Sequence, residues 1–560
     1  MAVIWQELLG VERVGRRDNF FALGGHSLLA TRLASHIRQQ LGVNVALRSL
    51  FEHNDLVGQA ALVVQTEQGE AIPAIVPVQQ EGPLPLSFAQ QRLWLLDQIE
   101  GGSRHYHMPV VLQLRGELDS VVAQQALQQI VQRHAVLRTR FAMDADGEPY
   151  QEVREDAQII LQMEDVQALE SDAQASAVRA LMASALEQPF DLSQDLMLRV
   201  LLIRQSLDEY VLVTNMHHIA SDGWSMGVLV KEFVELYRAG VEGIKAELPE
   251  LTVQYGDYAA WQRDYLQGEV LERQLSYWRE QLADAPVLHG LPLDKVRPKQ
   301  QSFVGRTVQS ELGVAQTQGL KQLCQQEGAT LFMGLHAVFS ALLSRYSNET
   351  DIVVGSPVAN REQSEVAGLI GFFVNTLVLR SEVSANAGLV DLVRQSKERC
   401  LSAYAHQQVP FEKLVDVLQV ERSLSHHPLF QVMLVLQNNE VTELTLPGLT
   451  LSPMASAEDS AKFDLTLTVQ EVNHILQLSW NYNSDLFEAA TIVRMAEHFT
   501  RLVTEALQAP TTSVHGLELL SGGDMDQFNH WNNTATEHPV ASLLHEPFEA
   551  MARQYPAAIA

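Results

Sequence analysis

Two cysteines in 560 residues, Cys324 and Cys400, leave the chain without a disulfide framework and without the paired thiols that a zinc knuckle needs. Basic charge is scarce as well. Lysine and arginine number 39 against 68 aspartates and glutamates, and the formal net charge of -29 repels phosphate backbones and anionic lipid surfaces, so neither nucleic acid nor a membrane is an expected partner. Long apolar runs are missing: the most hydrophobic helical stretch, "LFMGLHAVFSALL", is too short to span a bilayer and carries His336. The first residues lack the basic start and apolar core of an export signal, which together with the unpaired cysteines predicts a cytoplasmic location. No metal site is expected. At 46% hydrophobic and 19% charged, the chain nevertheless has ample apolar material for packed cores, and its length calls for several.

Residues 1–65 read as a small helical unit, with "AVIWQELLG" as one amphipathic helix and "SLLATRLASHIRQQLG" as another, Leu28, Leu29, Leu33 and Ile37 forming its apolar stripe. Residues 66–83 form a linker in which Pro73, Pro77 and Pro83 break any periodicity. From 84 to 515, long amphipathic helices alternate with β-branched runs such as "YVLVTNM" and "DIVVGSPV", the pattern of a large α/β unit. Residues 516–560 are polar and turn-rich before a final helix, and read as a junction to a further domain.

Two short stretches concentrate polar chemistry. In "NMHHIASDGWSMG" (215–227), a buried strand runs into a turn and then a helix marked by Met226, Leu229, Val230 and Phe233. Side chains alternate along a strand, so His217 and His218 point to opposite faces and cannot share a metal. Taken singly, Asp222 is a helix cap and either histidine a hydrogen-bonded core residue. An imidazole, a carboxylate and two glycines directly after a buried strand nonetheless mark a candidate site. Gly223 to Gly227 also match GxSxG, which would make Ser225 a hydrolase nucleophile, but His218 and Asp222 precede that serine, the reverse of the hydrolase order. In "DNFFALGGHSLL" (18–29), Gly24 and Gly25 permit a tight turn and Ser27 falls where a helix starts. A capping role explains Ser27 but not the flanking Phe20 and Phe21.

The second stretch resembles the attachment site of a peptidyl carrier domain, and "MHHIASDGWS" resembles the HHxxxDG motif of condensation domains, both from nonribosomal peptide synthetases. Further stretches similar to family motifs follow in the family's order: "LSFAQQRLWLLDQIE", "RHAVLRTRF", "YGDYAAWQR", "IGFFVNTLVLR", "HQQVPFEKLV" and "SHHPLFQVMLVLQN". The resemblance implies a multidomain fold: a four-helix carrier bundle, then an α/β condensation domain of two chloramphenicol-acetyltransferase-like subdomains (84–255 and 256–515) in a V with a tunnel between them. The C-terminal segment is similar to the beginning of an adenylation domain.

The same resemblance implies that Ser27 carries 4'-phosphopantetheine and that His218 faces the tunnel as the catalytic imidazole. His217 and Asp222 would hold the site together, Asp222 through an arginine, for which Arg345 is the candidate. Gly223 would offer a backbone N–H to the oxyanion. The implied reaction is amide formation: the amine of a downstream aminoacyl-carrier attacks a peptidyl or aminoacyl thioester on the upstream carrier. Partners would be the upstream and downstream modules, an acceptor carrier and a phosphopantetheinyl transferase. Because the carrier reads Gly24-Gly25-His26-Ser27 rather than the GGDS type, and no histidine pair stands in "QRHAVLRTRFAMDADGEPY", an L donor and an L acceptor are expected. Two alternatives stay open: a thioester hydrolase using Ser225, and a catalytically silent docking platform.

Overall fold

The N-terminal unit forms around an indole. Helices Ala2–Leu9, Ser27–Leu41, Leu47–Glu52 and Leu56–Gln65 bring Ile4, Trp5, Leu33, Ile37 and Leu50 into one core. Trp5 Nε1 donates to Gln59 Oε1 at 3.0 Å, and the same amide donates to the Leu50 carbonyl, so the polar atoms buried there are paired. The computed structural model describes residues 1–66, 72–78, 82–100, 104–420, 423–437, 445–446, 448–454, 460–536 and 543–558. Much of the predicted linker therefore lies outside the described residues.

Two six-stranded sheets organise the α/β region. The first runs, edge to edge, through Thr445–Leu446, Leu449–Pro453, His107–Gly116, Glu209–His217, Leu198–Arg204 and Leu161–Asp165. The second runs through Asn375–Glu382, Asp351–Val358, Val432–Gln437, Leu465–Val472, Ile475–Asn483 and Gly305–Leu312. Strands 445–453 thus leave the second half of the chain and join the first half's sheet, Leu449 pairing with Gly116 and Pro453 with Leu112. This exchange crosses the linear division at 255/256.

Strand Glu209–His217 is buried from Tyr210 to His217, which is why its sequence is a continuous apolar run rather than an alternating one. Helices Ser120–Arg133 and Gly223–Glu242 pack together beside that sheet, burying Ala123, Leu127, Ile130, Leu229, Leu236 and Tyr237 in one cluster. In the second half, helix Leu331–Ser347 is buried over nearly its whole circumference, which accounts for its apolar sequence. No single described helix is long and apolar enough to cross a membrane. Residues 518–560 form a separate unit, with helices Gly522–Asn532 and Glu546–Gln554, neither of which buries a residue.

Candidate active site

Strand Glu209–His217 ends in a single 3-10 turn, His218–Ala220, and helix Gly223–Glu242 starts immediately after Asp222. The two histidines diverge at that strand end. His217 is buried, accepts the Ile219 N–H at Nδ1, and packs against His107 and Phe190. His218 turns the other way, its ring 4.6 Å from that of Phe372 on the second half of the chain. Its Nδ1 lies 2.8 Å from the Ser221 carbonyl. A carbonyl only accepts, so Nδ1 carries the proton and Nε2 keeps its lone pair. Burial, followed by the charge of Lys462, lowers the His218 pKa to about 4, so the ring is neutral near pH 7. Burial and the neighbouring His107 take His217 down to about 3.

Asp222 is the hub of the turn. It caps the helix by accepting the Ser225 N–H at 2.8 Å, and it also accepts the Ser225 hydroxyl at 2.7 Å and the Phe373 N–H at 3.0 Å. The arginine paired with it is Arg361, whose Nη2 lies 3.0 Å from Oδ1, both side chains being buried. Arg361 also donates to the carbonyls of Val366 and Leu369 and stacks 4.1 Å from the Phe373 ring centroid. The expectation for Arg345 fails on geometry: it sits in the last turn of helix Leu331–Ser347 and donates to the carbonyls of Val514 and Leu517.

Ser225 is fully buried, its one hydroxyl proton lies between Asp222 Oδ1 at 2.7 Å and the Gly371 carbonyl at 2.9 Å, and its oxygen accepts from Gly371 N–H and Arg361. With its lone pairs and proton committed to Asp222, Gly371 and Arg361, and with no hydrogen bond to His218 among the described residues, it is built as a brace rather than a nucleophile. Gly223 is exposed, and a Cβ added there would meet nothing within 4 Å, so the fold itself does not demand glycine.

Several sequence stretches converge on this clamp. Tyr255 Oη donates to the Phe372 carbonyl and lies 2.9 Å from Ser87 Oγ, and Asn375 Nδ2 donates to the carbonyls of Gln407 and Val409. Arg92 pairs with Glu412 at 2.9 Å. His134 links the halves: its Nε2 lies 2.9 Å from Glu232, and its Nδ1 accepts the Ile370 N–H.

The carrier serine is also placed. The residue at the helix cap is His26, and Ser27 is the first helical residue, so its hydroxyl is not spent on capping. Gly24 takes a φ of +104°, and a Cβ on Gly25 would fall 2.4 Å from the Phe20 ring. Phe20 packs on Trp5, and Phe21 on Phe51; the aromatic pair therefore seats the turn on the carrier core. Ser27 Oγ lies 3.3 Å from Thr330 Oγ1 of the α/β region, where Tyr404 also bonds it. Arg48 adds a 2.5 Å ion pair to Glu398. A helix N-terminus suits the phosphate of an attached arm, and the buried, unpartnered Nδ1 of His26 stands next to the attachment residue, so these residues fit the group.

Arg361 escapes a reading of the sequence because nothing in "PVANREQSEVAG" marks it; its role is visible only once Asp222 lies beside it.

The structure thus places the His218 imidazole beside Phe372 of the second half of the chain, and the first-turn Ser27 of the helical unit beside Thr330 of the α/β region. Residues 80–528 match the Condensation domain family and residues 2–63 the phosphopantetheine attachment site family. The chain is 42% identical over 566 residues to a linear gramicidin synthase of Brevibacillus parabrevis, and 39% identical over 563 residues to malpinin synthetase of Mortierella alpina. All of this chain is covered, but only 7% of each of those proteins. Among solved structures, the X-domain in complex with OxyB from teicoplanin biosynthesis aligns with a TM-score of 0.73 at 29% identity, over 81% of this chain and 99% of that one. The first condensation domain of the calcium-dependent antibiotic synthetase shares the fold, with a TM-score of 0.66 at 21% identity, over 79% and 100%. The chain belongs to the condensation-domain family of nonribosomal peptide synthetases, preceded by a phosphopantetheine attachment domain. Its enzyme class is that of amide-forming acyltransferases.

Proposed function

We propose that this chain joins an L-configured donor, carried as a thioester on the arm of Ser27, to the amine of an L-aminoacyl group on a downstream carrier. The observation that carries this reading is the His218 imidazole: tautomer fixed by the Ser221 carbonyl, Nε2 lone pair unspent, at the junction of both halves. The arm would supply the thiol sulfur to which the donor's acyl carbon is esterified; the chain's own residues orient that thioester and handle protons. His218 Nε2 accepts a hydrogen bond from the neutral attacking amine and takes the proton once the new C–N bond has made the nitrogen cationic. Gly223, the first residue of its helix, would offer its backbone N–H to the developing oxyanion, and the open space where a Cβ would stand leaves room for substrate. His217, Asp222 and Arg361 hold the turn.

The boundaries proposed for these units are 1–65, 66–83, 84–255, 256–515 and 516–560, and the proposed partners are adjoining modules, an acceptor carrier and a phosphopantetheinyl transferase acting on Ser27. Incubation with transferase and coenzyme A should add one phosphopantetheine to the intact mass, and Ser27→Ala should add none; equal gains would remove Ser27 from the attachment role. Loading Ser27 with matched L and D donors should give amide mainly from the L form, read by mass spectrometry. A clear D preference would overturn the stereochemical assignment.

The likeness to an X-domain, described in complex with OxyB, favours a second reading as a docking platform. A chain of that kind binds a partner and yields no amide in the loaded assay.

A further inference from the structure

Among the described residues, none balances the charge of Lys462. It lies in the segment leading into strand Leu465–Val472, with its own carbonyl held by Gln301 Nε2 at 3.0 Å. It has no carboxylate partner among those residues, although Asp464 is two positions away; that carboxylate is taken by Arg297 and His289. Its Nζ instead sits 5.8 Å from the ring centroid of Tyr106. Tyr106 immediately precedes His107, the cross-strand partner of His217, so an ammonium rooted in the second sheet reaches the end of the first sheet where His218 begins. Its charge acts on both imidazoles there. The groups it acts on are Tyr106, His217 and His218 from the first half and Arg92, which is itself paired with Glu412; Asp464, two positions along its own segment, is held by Arg297 and His289. None of them neutralises it, and Arg92 repels it.

Among the described residues this ammonium faces another cation, Arg92, and no carboxylate, so a negative charge developing beside it would be stabilised. Resting on the amide-forming reading, we propose that Lys462 is a catalytic residue whose ammonium stabilises the oxyanion that forms when the amine attacks the donor carbonyl. In that step the amine lone pair makes the C–N bond and the carbonyl π pair moves onto oxygen, opposite Lys462. When C=O reforms, the C–S bond breaks, and the proton leaving nitrogen passes by His218 to the thiolate. The Lys462 pKa, lowered to about 8 by burial and then by Arg92, puts loss of this charge within reach of assay conditions.

The test uses the full chain, a panel of L-aminoacyl arms on Ser27 and L-aminoacyl N-acetylcysteamine thioesters as acceptors. Lys462→Met should lower kcat by about 10²-fold or more, the effect of losing one oxyanion donor, with KM nearly unchanged. Wild-type rates should fall above about pH 8 as Lys462 deprotonates, whereas Lys462→Arg should recover much of the rate and hold it at higher pH, because guanidinium stays protonated. Independently of turnover, Lys462→Met should raise the His218 imidazole pKa in an NMR titration and leave the melting transition no lower than wild type. A wild-type chain that makes no amide overturns the amide-forming reading itself. Amide formation with kcat unaltered in Lys462→Met, or a His218 titration that does not move, overturns the role of Lys462 alone.

Discussion

His218→Ala should lower kcat for amide formation by about 10² to 10⁴-fold while leaving the folded structure unaltered. The ring contributes one hydrogen bond to Ser221 and a tilted ring contact to Phe372, and neither holds the clamp; that is done by Asp222 and Arg361. The upper bound follows from the reaction. Aligning two tethered substrates contributes about 7 to 11 kcal/mol, more than a base can, and a variant that still binds both keeps that part. Loss of less than about threefold in a single-turnover amide assay would remove His218 from the chemistry.

The pH dependence separates two ways of using the ring. A free α-amine has a pKa of about 7.7 to 8.0, so shedding its proton at neutral pH costs about 1 kcal/mol. Protonating an imidazole whose pKa is about 4 costs about 4 kcal/mol at pH 7, so His218 is a poor base toward the substrate ammonium. The amine therefore enters neutral, and the imidazole acts only once nitrogen has become cationic in the adduct. Accordingly, the acid limb of kcat/KM should follow the amine, rising to about pH 8 with no inflection near 6.5, the ordinary histidine value. A limb near 6.5 that vanishes in His218→Ala would show a conventional base instead.

What is legible in the sequence is local. The strand, turn and helix of 209–242 are readable because apolar β-branched residues, a polar break and a 3.6-residue stripe follow one another there, and the carrier helices by the same periodicity. The divergence of His217 and His218 follows from strand geometry alone. Contacts between distant segments cannot be read this way. Arg361 lies 139 residues from Asp222, and nothing in the sequence shows that Arg345 is instead occupied by the carbonyls of Val514 and Leu517. The passage of strand Leu449–Pro453 into the other half's sheet carries no signal in its own residues. Ser225 is the sharpest case: its five-residue pattern fits a nucleophile, and only the four groups around it show a brace.

The clamp makes the opposite prediction to the imidazole. Asp222→Ala should cost about 3 to 5 kcal/mol of stability, because Arg361 is left charged, buried and unpaired, and the Ser225 and Phe373 N–H groups lose their acceptor. Activity should fall as a consequence, since the turn that carries His218 is tied to segment 370–373 by those bonds. Asp222→Asn should lie between, since its amide oxygen can still cap the helix but cannot balance the guanidinium. The decisive comparison is the double variant Asp222→Ala with Arg361→Leu. Removing both charges avoids the stranded cation, so the pair should be more stable than Asp222→Ala alone, although it loses the Arg361 bonds to Val366 and Leu369. Thermal melts of the four chains read this directly. If Asp222→Ala melts like wild type, or if the second substitution adds its full cost with no recovery, the ion pair does not hold the two halves together.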